Sequence, residues 1–443
     1  MSETILIVGS GAREHAIAVA LARSPQRPVL LCFGSARNPG IQALCRDYAV
    51  GGVTDAAAIT AFAAAHSPTL AILGPEAPLA AGVTDALLAI HIPVVGPTQQ
   101  LAQIESSKGF ARELLARHKI PGNPWFRRFT SVDGIEAVLA KLSGRHVIKD
   151  DGLAGGKGVK VCGDHLHSIA DSVTFCREMA ANGHPFVIEE KLVGEEFSLI
   201  SFCDGVTLRH MPAVQDHKRA YEGDKGPNTG GMGTYTDADH KLPFLVDTDI
   251  AAAEAINEMV AAALADDCGV PYQGILYGGF IATADGVRLI EYNARFGDPE
   301  CLNLLSLLET DFVAICRAIV YQTLDALPVT FASEASVCKY IVPDGYPDAP
   351  RSGDAVHLPA ELPPGVTLYL GAVNQPDQRG DELVATGSRT VAVVATAATL
   401  ADAEAACEKT AAQIPGPFFH RADIGTAALI ARRVEHMKSL RPA

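Results

Sequence analysis

Between residue 4 and about residue 100, short apolar runs alternate with glycine or polar breaks and alanine-rich stretches. "ILIVG", "PVLLCF", "DYAV", "TLAILG" and "IPVVG" read as strands, and helical runs follow "GAREH", follow Thr54 and cover "PLAAGVTDALLA". This alternation predicts a doubly wound parallel sheet with helices on both faces. The next stretch, "TQQLAQIESSKGFARELLARHKIP", predicts a helix broken near Ser106 and ended before Pro121, bridging two domains. Residues 123 to 190 predict a compact α+β insert, in which "HVIKD" and "VKVC" flank a glycine loop and "PFVIEEKL" closes the unit. A strand-rich region follows to residue 300, with "TADG" as a hairpin turn inside "GILYGGFIATADGVRLIEYN". Beyond the helical run "CLNLLSLLETDFVAICRAIVYQTL" come short strands and an alanine-rich helix at 399–413. The expected architecture is a multidomain α/β fold. Its parts are an N-terminal parallel-sheet domain over 1–100, a central domain from 101–122 and 191–330, a lid-like insert at 123–190, and a small mixed domain at 331–443.

Composition narrows the function. A chain of 443 residues exceeds one typical core, and 48% hydrophobic with 20% charged residues is the composition of a globular protein. The formal charge is -15 with no block of five basic residues, which speaks against nucleic-acid binding but not against a small anionic substrate held by local glycine loops. Apolar runs such as "AIAVALA" are too short to span a membrane. "MSETILIVGS" enters a strand at once, leaving no room for a signal segment, so a cytoplasmic location is expected. Ten scattered cysteines show no zinc spacing and read as small buried hydrophobes.

Several constellations carry chemistry. Gly9 and Gly11 end the first strand before a helix, a pattern that fits a tight turn and an anion site equally. An NAD fingerprint fits less well, because Glu14 takes the third glycine position and "LLCFGSARN" lacks the acid after the second strand. Glu76 lies between prolines at the sheet's carboxyl edge, where an incidental acid in a rigid loop is the simpler reading. In "VIKDDGLAGGKGVKV", Lys157 precedes Gly158 rather than a hydroxyl residue and a strand follows, so this is not a Walker A loop. A glycine loop between two strands can instead fold over a triphosphate, with Lys149 aimed at the same phosphates.

"VIEEKLVGEEFSL" reads most simply as an edge strand with solvated carboxylates. "LIEYNARFGDPE" puts Glu291 and Asn293 on one face of a strand, a carboxylate and an amide oxygen suited to magnesium. Gln215 to Tyr235 reads as a loop of about twenty residues, a length that favours function.

Taken together, "GSGAREHA", "GPEAPLAAG", "ESSK", "VIKDDGLAGGKGV", "IEEKLVGEEFSL", "QDHKR" with "GPNTGGMG", and "YNARFGDPE" resemble the phosphoribosylamine-glycine ligases, or glycinamide ribonucleotide synthetases, of the ATP-grasp superfamily. The resemblance runs over nearly the whole chain in the family's order. It implies ligation of glycine to 5-phosphoribosylamine through glycyl phosphate, with ATP and Mg2+ (or Mn2+), in a monomer or homodimer.

By family position, Lys108, Lys149, Gly155, Gly156 and Lys157 would meet ATP phosphates. Glu189, Glu190 and Leu192 would line the adenine site, and Glu196 would take the ribose. Glu291 and Asn293 would hold the metal. Arg295 and Asp298 would face the reacting groups together with Lys149 and Lys157. Gly9, Gly11, Arg13, Glu76, Asp216, Lys218, Arg219, Asn228 and Asp298 would line the substrate cavity. The chain departs from the family at "GDPECLN", where Cys301 and Leu302 replace polar residues, and in having no further acid in "GILYGGFIA". The sole support for a different amine acceptor is that first departure.

Overall fold

A computed structural model describes residues 3–153, 158–375 and 382–442. The N-terminal sheet has five parallel strands in the order Asp47–Val50, Val29–Gly34, Thr4–Val8, Leu70–Leu73 and Val94–Val95. Ile5, Leu6, Ile7 and Val8 are all fully buried, because helices cover both faces. That is why the strand is continuously apolar and not alternating. The helices Ala12–Ala22, Ala56–His66 and Val83–Ala89 supply the cover.

The insert is a four-stranded antiparallel sheet ordered Phe126–Phe129, Phe186–Glu190, His146–Asp150 and Val159–Val161. Helices Ile135–Leu142 and Ile169–Ala181 close its own core around Leu139, Ile148, Cys176, Phe186 and Ile188. The central sheet runs Leu208–His210, Gly194–Cys203, Gly274–Thr283 and Gly286–Asn293, all antiparallel. All ten residues of Gly274–Thr283 are buried. At Gly278 an added Cβ would lie 2.4 Å from the Phe280 ring and 2.6 Å from Asn257 Oδ1, so the strand carries glycine where side chains from both directions converge. The Thr283–Gly286 turn is the hairpin that the sequence suggested.

Two elements differ from the sequence reading. The segment from Gln215 to Tyr235 is not one loop. It holds the strands Gln215–Asp216, Arg219–Tyr221, Lys225–Asn228 and Gly233–Thr236, with Gly223, Gly226, Gly231 and Gly233 at positive φ. Gly233–Thr236 pairs with Ala335–Pro343, so this segment extends the sheet of the C-terminal region. Arg219–Tyr221 pairs with Lys225–Asn228 and Gln215–Asp216 with Gly233–Thr236 inside the segment, but the pairing of Gly233–Thr236 with Ala335–Pro343 joins distant parts of the chain, which local pattern does not register. Likewise "VIEEKLVGEEFSL" is no edge. Phe186–Glu190 and Gly194–Cys203 each sit inside their sheets, and Glu189 and Glu195 are buried.

The first and last regions meet through His15. Its Nδ1 accepts from the Leu370 backbone N–H at 2.9 Å, and the ring meets Tyr369 edge-on. Accepting at Nδ1 requires a neutral ring, and burial lowers its pKa to about 4. The unfolded ring takes a proton below about pH 6.5, the folded one only below about 4, so stability is complete above 6.5 and declines as pH falls between them. Urea melts at pH 7 and pH 4.5 should show that decline, and a His15→Leu variant should lose about one proton's share of its slope.

Candidate functional site

A cleft of about 730 Å³ opens where the central sheet, the insert, the N-terminal sheet and the C-terminal region converge, a size suited to small-molecule ligands. On one side lies a buried ionic network. Arg112, on the helix Lys108–Arg117, donates from Nε and Nη2 to the two oxygens of Glu189 at 2.7 and 2.9 Å. The remaining guanidinium capacity goes to the carbonyls of Leu289 and Ile290. Lys149 Nζ lies 2.9 Å from Glu189 and donates to the Ile290 carbonyl at 2.8 Å. Burial favours a neutral Glu189, yet Arg112 and Lys149 outweigh it and lower its pKa. For Lys149, burial together with Arg112 outweighs Glu189 and Glu291 and lowers its pKa. Its ammonium therefore gains from a further anion in the cleft.

The helix bearing Arg112 starts at Ser107, whose hydroxyl accepts from Phe110 N–H at 3.0 Å. Asp151 Oδ1 accepts from Ser107 Oγ and Gly109 N–H at 2.9 and 2.8 Å, and Lys108 Nζ donates to the Gly152 carbonyl. The base of the glycine loop is thus fastened to the helix start. Gly155, Gly156 and Lys157 lie outside the described residues.

On the floor, the strand Gly286–Asn293 presents Glu291 and Asn293 to the cleft. Burial raises the Glu291 pKa, but Lys218, Lys149, Lys108 and Arg295 together hold it at about 2. Lys218 Nζ sits 3.5 Å from Glu291 and 3.7 Å from Glu196. An ionised carboxylate already facing one cation, next to an amide oxygen, is a hard-oxygen donor set that fits Mg2+. The residue paired across from Glu291 is Gly279, so no second acid joins them from that position.

Opposite stands Arg295. It lies 2.8 Å from Glu105 and 3.3 Å from Glu76, and the Ala294 N–H donates to Glu105 at 2.8 Å. Arg13, at the start of the first helix, lies 2.6 Å from Glu14 and donates to the Phe296 carbonyl. Asp298 is gripped by Tyr340 and Arg389 of the C-terminal region, at 2.5 and 3.0 Å.

The described candidates Arg13, Glu76, Lys108, Lys149, Glu189, Glu190, Leu192, Glu196, Asp216, Lys218, Arg219, Asn228, Glu291, Asn293, Arg295 and Asp298 all line this one cleft. Gly9 and Gly11 do not. The Gly11 N–H donates to the Glu14 carboxylate at 2.6 Å, and a Cβ at Gly9 would lie 2.7 Å from the same side chain. The turn is filled by the protein's own acid. The Glu189 side chain is likewise taken up by Arg112 and Lys149.

Among the lining residues that the sequence does not single out are Arg112, Tyr277, Arg389 and Arg433. The Tyr277 hydroxyl donates to Glu300 at 2.9 Å, and burial together with Glu300 raises the pKa of Asp216 well above the usual range. "GDPE" and "ESSK" offered a motif context for Glu300 and Glu105. Nothing local marks Arg389 or Arg433. Cys301 and Leu302 are fully buried in the hydrophobic core and do not line the cleft. Their departure from the family pattern is a matter of packing, and it lends no support to a changed acceptor.

An α+β lid on an antiparallel sheet that carries an acid–amide pair, beside a parallel N-terminal sheet, defines an ATP-grasp ligase. The chain belongs to the phosphoribosylglycinamide synthetase family. Its N-domain model matches residues 3–105, its ATP-grasp (A) domain model 106–301 and its C-domain model 336–427. The chain is 46% identical to the phosphoribosylamine–glycine ligase of Methanosarcina acetivorans over 100% of this chain and 98% of that one. It is 45% identical to that of Methanocella arvoryzae over 99% of both. A crystal structure of phosphoribosylamine–glycine ligase from Thermotoga maritima superposes with a TM-score of 0.79 at 27% identity, covering 95% of this chain and 99% of that one. A biotin carboxylase from Campylobacter jejuni shares the fold at a TM-score of 0.70 and 14% identity, covering 98% of this chain and 95% of that one. Among the described residues, no helix is long and apolar enough to cross a membrane.

Replacing Glu189 with Leu leaves Arg112 and Lys149 buried without their carboxylate, which should cost about 3–5 kcal/mol in urea unfolding. A loss below about 1 kcal/mol would show that the network contributes little to stability.

Proposed function

We propose that this chain ligates glycine to 5-phosphoribosylamine through glycyl phosphate, converting ATP to ADP and phosphate and yielding glycinamide ribonucleotide for purine biosynthesis. The observation that carries this reading is a single cleft that joins the Lys149 and Glu291 side of the central sheet to Arg13 and Glu76 of the N-terminal sheet. A carboxylate is a poor electrophile, and attaching a phosphoryl group to it creates a leaving group that the amine can displace. The protein's part is alignment and charge compensation.

Lys108 and Lys149, with Gly155, Gly156 and Lys157 assigned by family position, meet the phosphate charges. Glu190 and Leu192 face the adenine, and Glu196 the ribose hydroxyls. Glu291 and Asn293 hold Mg2+ or Mn2+, which neutralises charge on the phosphate oxygens when bound. Arg295, kept in place by Glu76 and Glu105, draws the glycine carboxylate and the transferring phosphoryl toward one point. Arg13, Asp216, Lys218, Arg219 and Asn228 surround phosphoribosylamine, and Asp298 accepts hydrogen bonds from its amine. Gly9 and Gly11 contribute by shaping the turn that presents Arg13. The enzyme acts on these small molecules in the cytoplasm.

A coupled assay should detect ADP release only when glycine and phosphoribosylamine are both present, and release without either would overturn the reading. Glu291→Ala should lower turnover roughly 100-fold or more, the scale on which loss of one preorganised electrostatic group acts. Its circular dichroism should stay unchanged, and full activity would remove Glu291 from the metal site.

A further inference from the structure

Arg389 stands far from every motif in the sequence, yet it is the point where three segments of the cleft wall meet. Its Nη1 donates to the carbonyls of Gly230, Gly231 and Asp298 at 2.6, 3.2 and 2.7 Å. Its Nη2 donates to Asp298 Oδ2 at 3.0 Å. The guanidinium lies over the Tyr340 ring, 4.7 Å from the centroid, and the Tyr340 hydroxyl donates to Asp298 Oδ1 at 2.5 Å. Arg389 and Tyr340 both belong to the C-terminal region, whereas Asp298 and Gly230 do not.

We propose that Arg389 is a positioning residue for the ligation: it fixes the Asp298 carboxylate in the cleft, so the C-terminal region completes the active site. This rests on the ligase reading above.

The geometry supplies the argument. A carboxylate on a turn can rotate about χ2, and two donors reaching different oxygens from one wall fix its plane. Each oxygen keeps a second lone pair for a ligand. Arg13 and Glu76 of the N-terminal region line the same cleft as Asp298, so a ligand held there meets both walls. The same guanidinium holds the Gly230–Gly231 backbone against the turn. Gly231 has φ +110°, and a Cβ there would lie 2.5 Å from Pro299 and 2.7 Å from Asp216, so no side chain fits between the two segments. A lysine at 389 could reach Asp298 or the glycine carbonyls, but it lacks the planar fork that serves all of them at once.

The test uses the full chain with steady-state kinetics in each substrate. Arg389→Ala should lower kcat/KM for phosphoribosylamine roughly 10–100-fold, the usual effect of losing an orienting partner. The KM for ATP should stay near that of the unaltered enzyme. Arg389→Lys should recover little of the loss. Millimolar guanidinium ion should restore part of the Arg389→Ala activity and none of that of Asp298→Ala. Equal rises in KM for ATP and phosphoribosylamine without guanidinium rescue would mark a merely structural role and overturn the proposal, as would full activity of Arg389→Ala.

Should Arg389→Ala fail to fold, Tyr340→Phe removes the other donor to Asp298 alone. A loss confined to phosphoribosylamine supports the proposal there, and unchanged kinetics overturn it. If the unaltered chain shows no ADP release dependent on glycine and phosphoribosylamine, the ligase reading itself falls. If it does and Arg389→Ala matches it, only the positioning role falls.

Discussion

Glu189 takes two hydrogen bonds from Arg112 and an ammonium from Lys149, all three side chains buried, while Arg112 and Lys149 also bind the carbonyls of Leu289 and Ile290. Removing these charges from water is expensive, and it is tolerated only because every partner is present with good geometry. The requirement ties together a helix after the N-terminal sheet, two strands of the insert and the strand ending in Glu291 and Asn293. The insert can therefore not settle on the central sheet in another register without leaving a charge unpaired. The same network leaves Lys149 under-compensated at the cleft.

An acidic protein gathers cations here by pairing them unequally. Lys218, Lys149, Lys108 and Arg295 all act on Glu291 and hold it ionised despite burial. Glu76 and Glu105 hold Arg295 from the opposite wall. The result is a cleft that can accept triphosphate and carboxylate together, although the net charge of the chain is -15. Distance from solvent makes these local terms stronger than the overall charge.

Much of this was legible in residue order. The parallel sheet, the broken helix at Ser106 and the Thr283–Gly286 hairpin follow from periodicity and turn chemistry, which act over a few residues. Glu291 and Asn293 fall on one face because strands repeat every two residues. The stretch Gln215–Tyr235 reads as a loop in the sequence because its strands are only two to four residues long and the last of them, Gly233–Thr236, completes its sheet with the distant Ala335–Pro343. In "VIEEKLVGEEFSL" Glu190 and Glu196 do reach solvent, whereas Glu189 and Glu195 are buried against Arg112 and Arg433, which lie elsewhere in the chain and leave no local signal.

Residue order alone suffices for most of the elements, for the strands on either side of the glycine loop and for the placing of Glu291 and Asn293 on one strand face, since each depends on neighbours within a turn or a strand. Tertiary packing settles that Cys301 and Leu302 are core and that Arg389 reaches Asp298 from the C-terminal region. Those outcomes depend on which distant side chains meet without water between them, and burial and charge pairing are properties of the assembled fold.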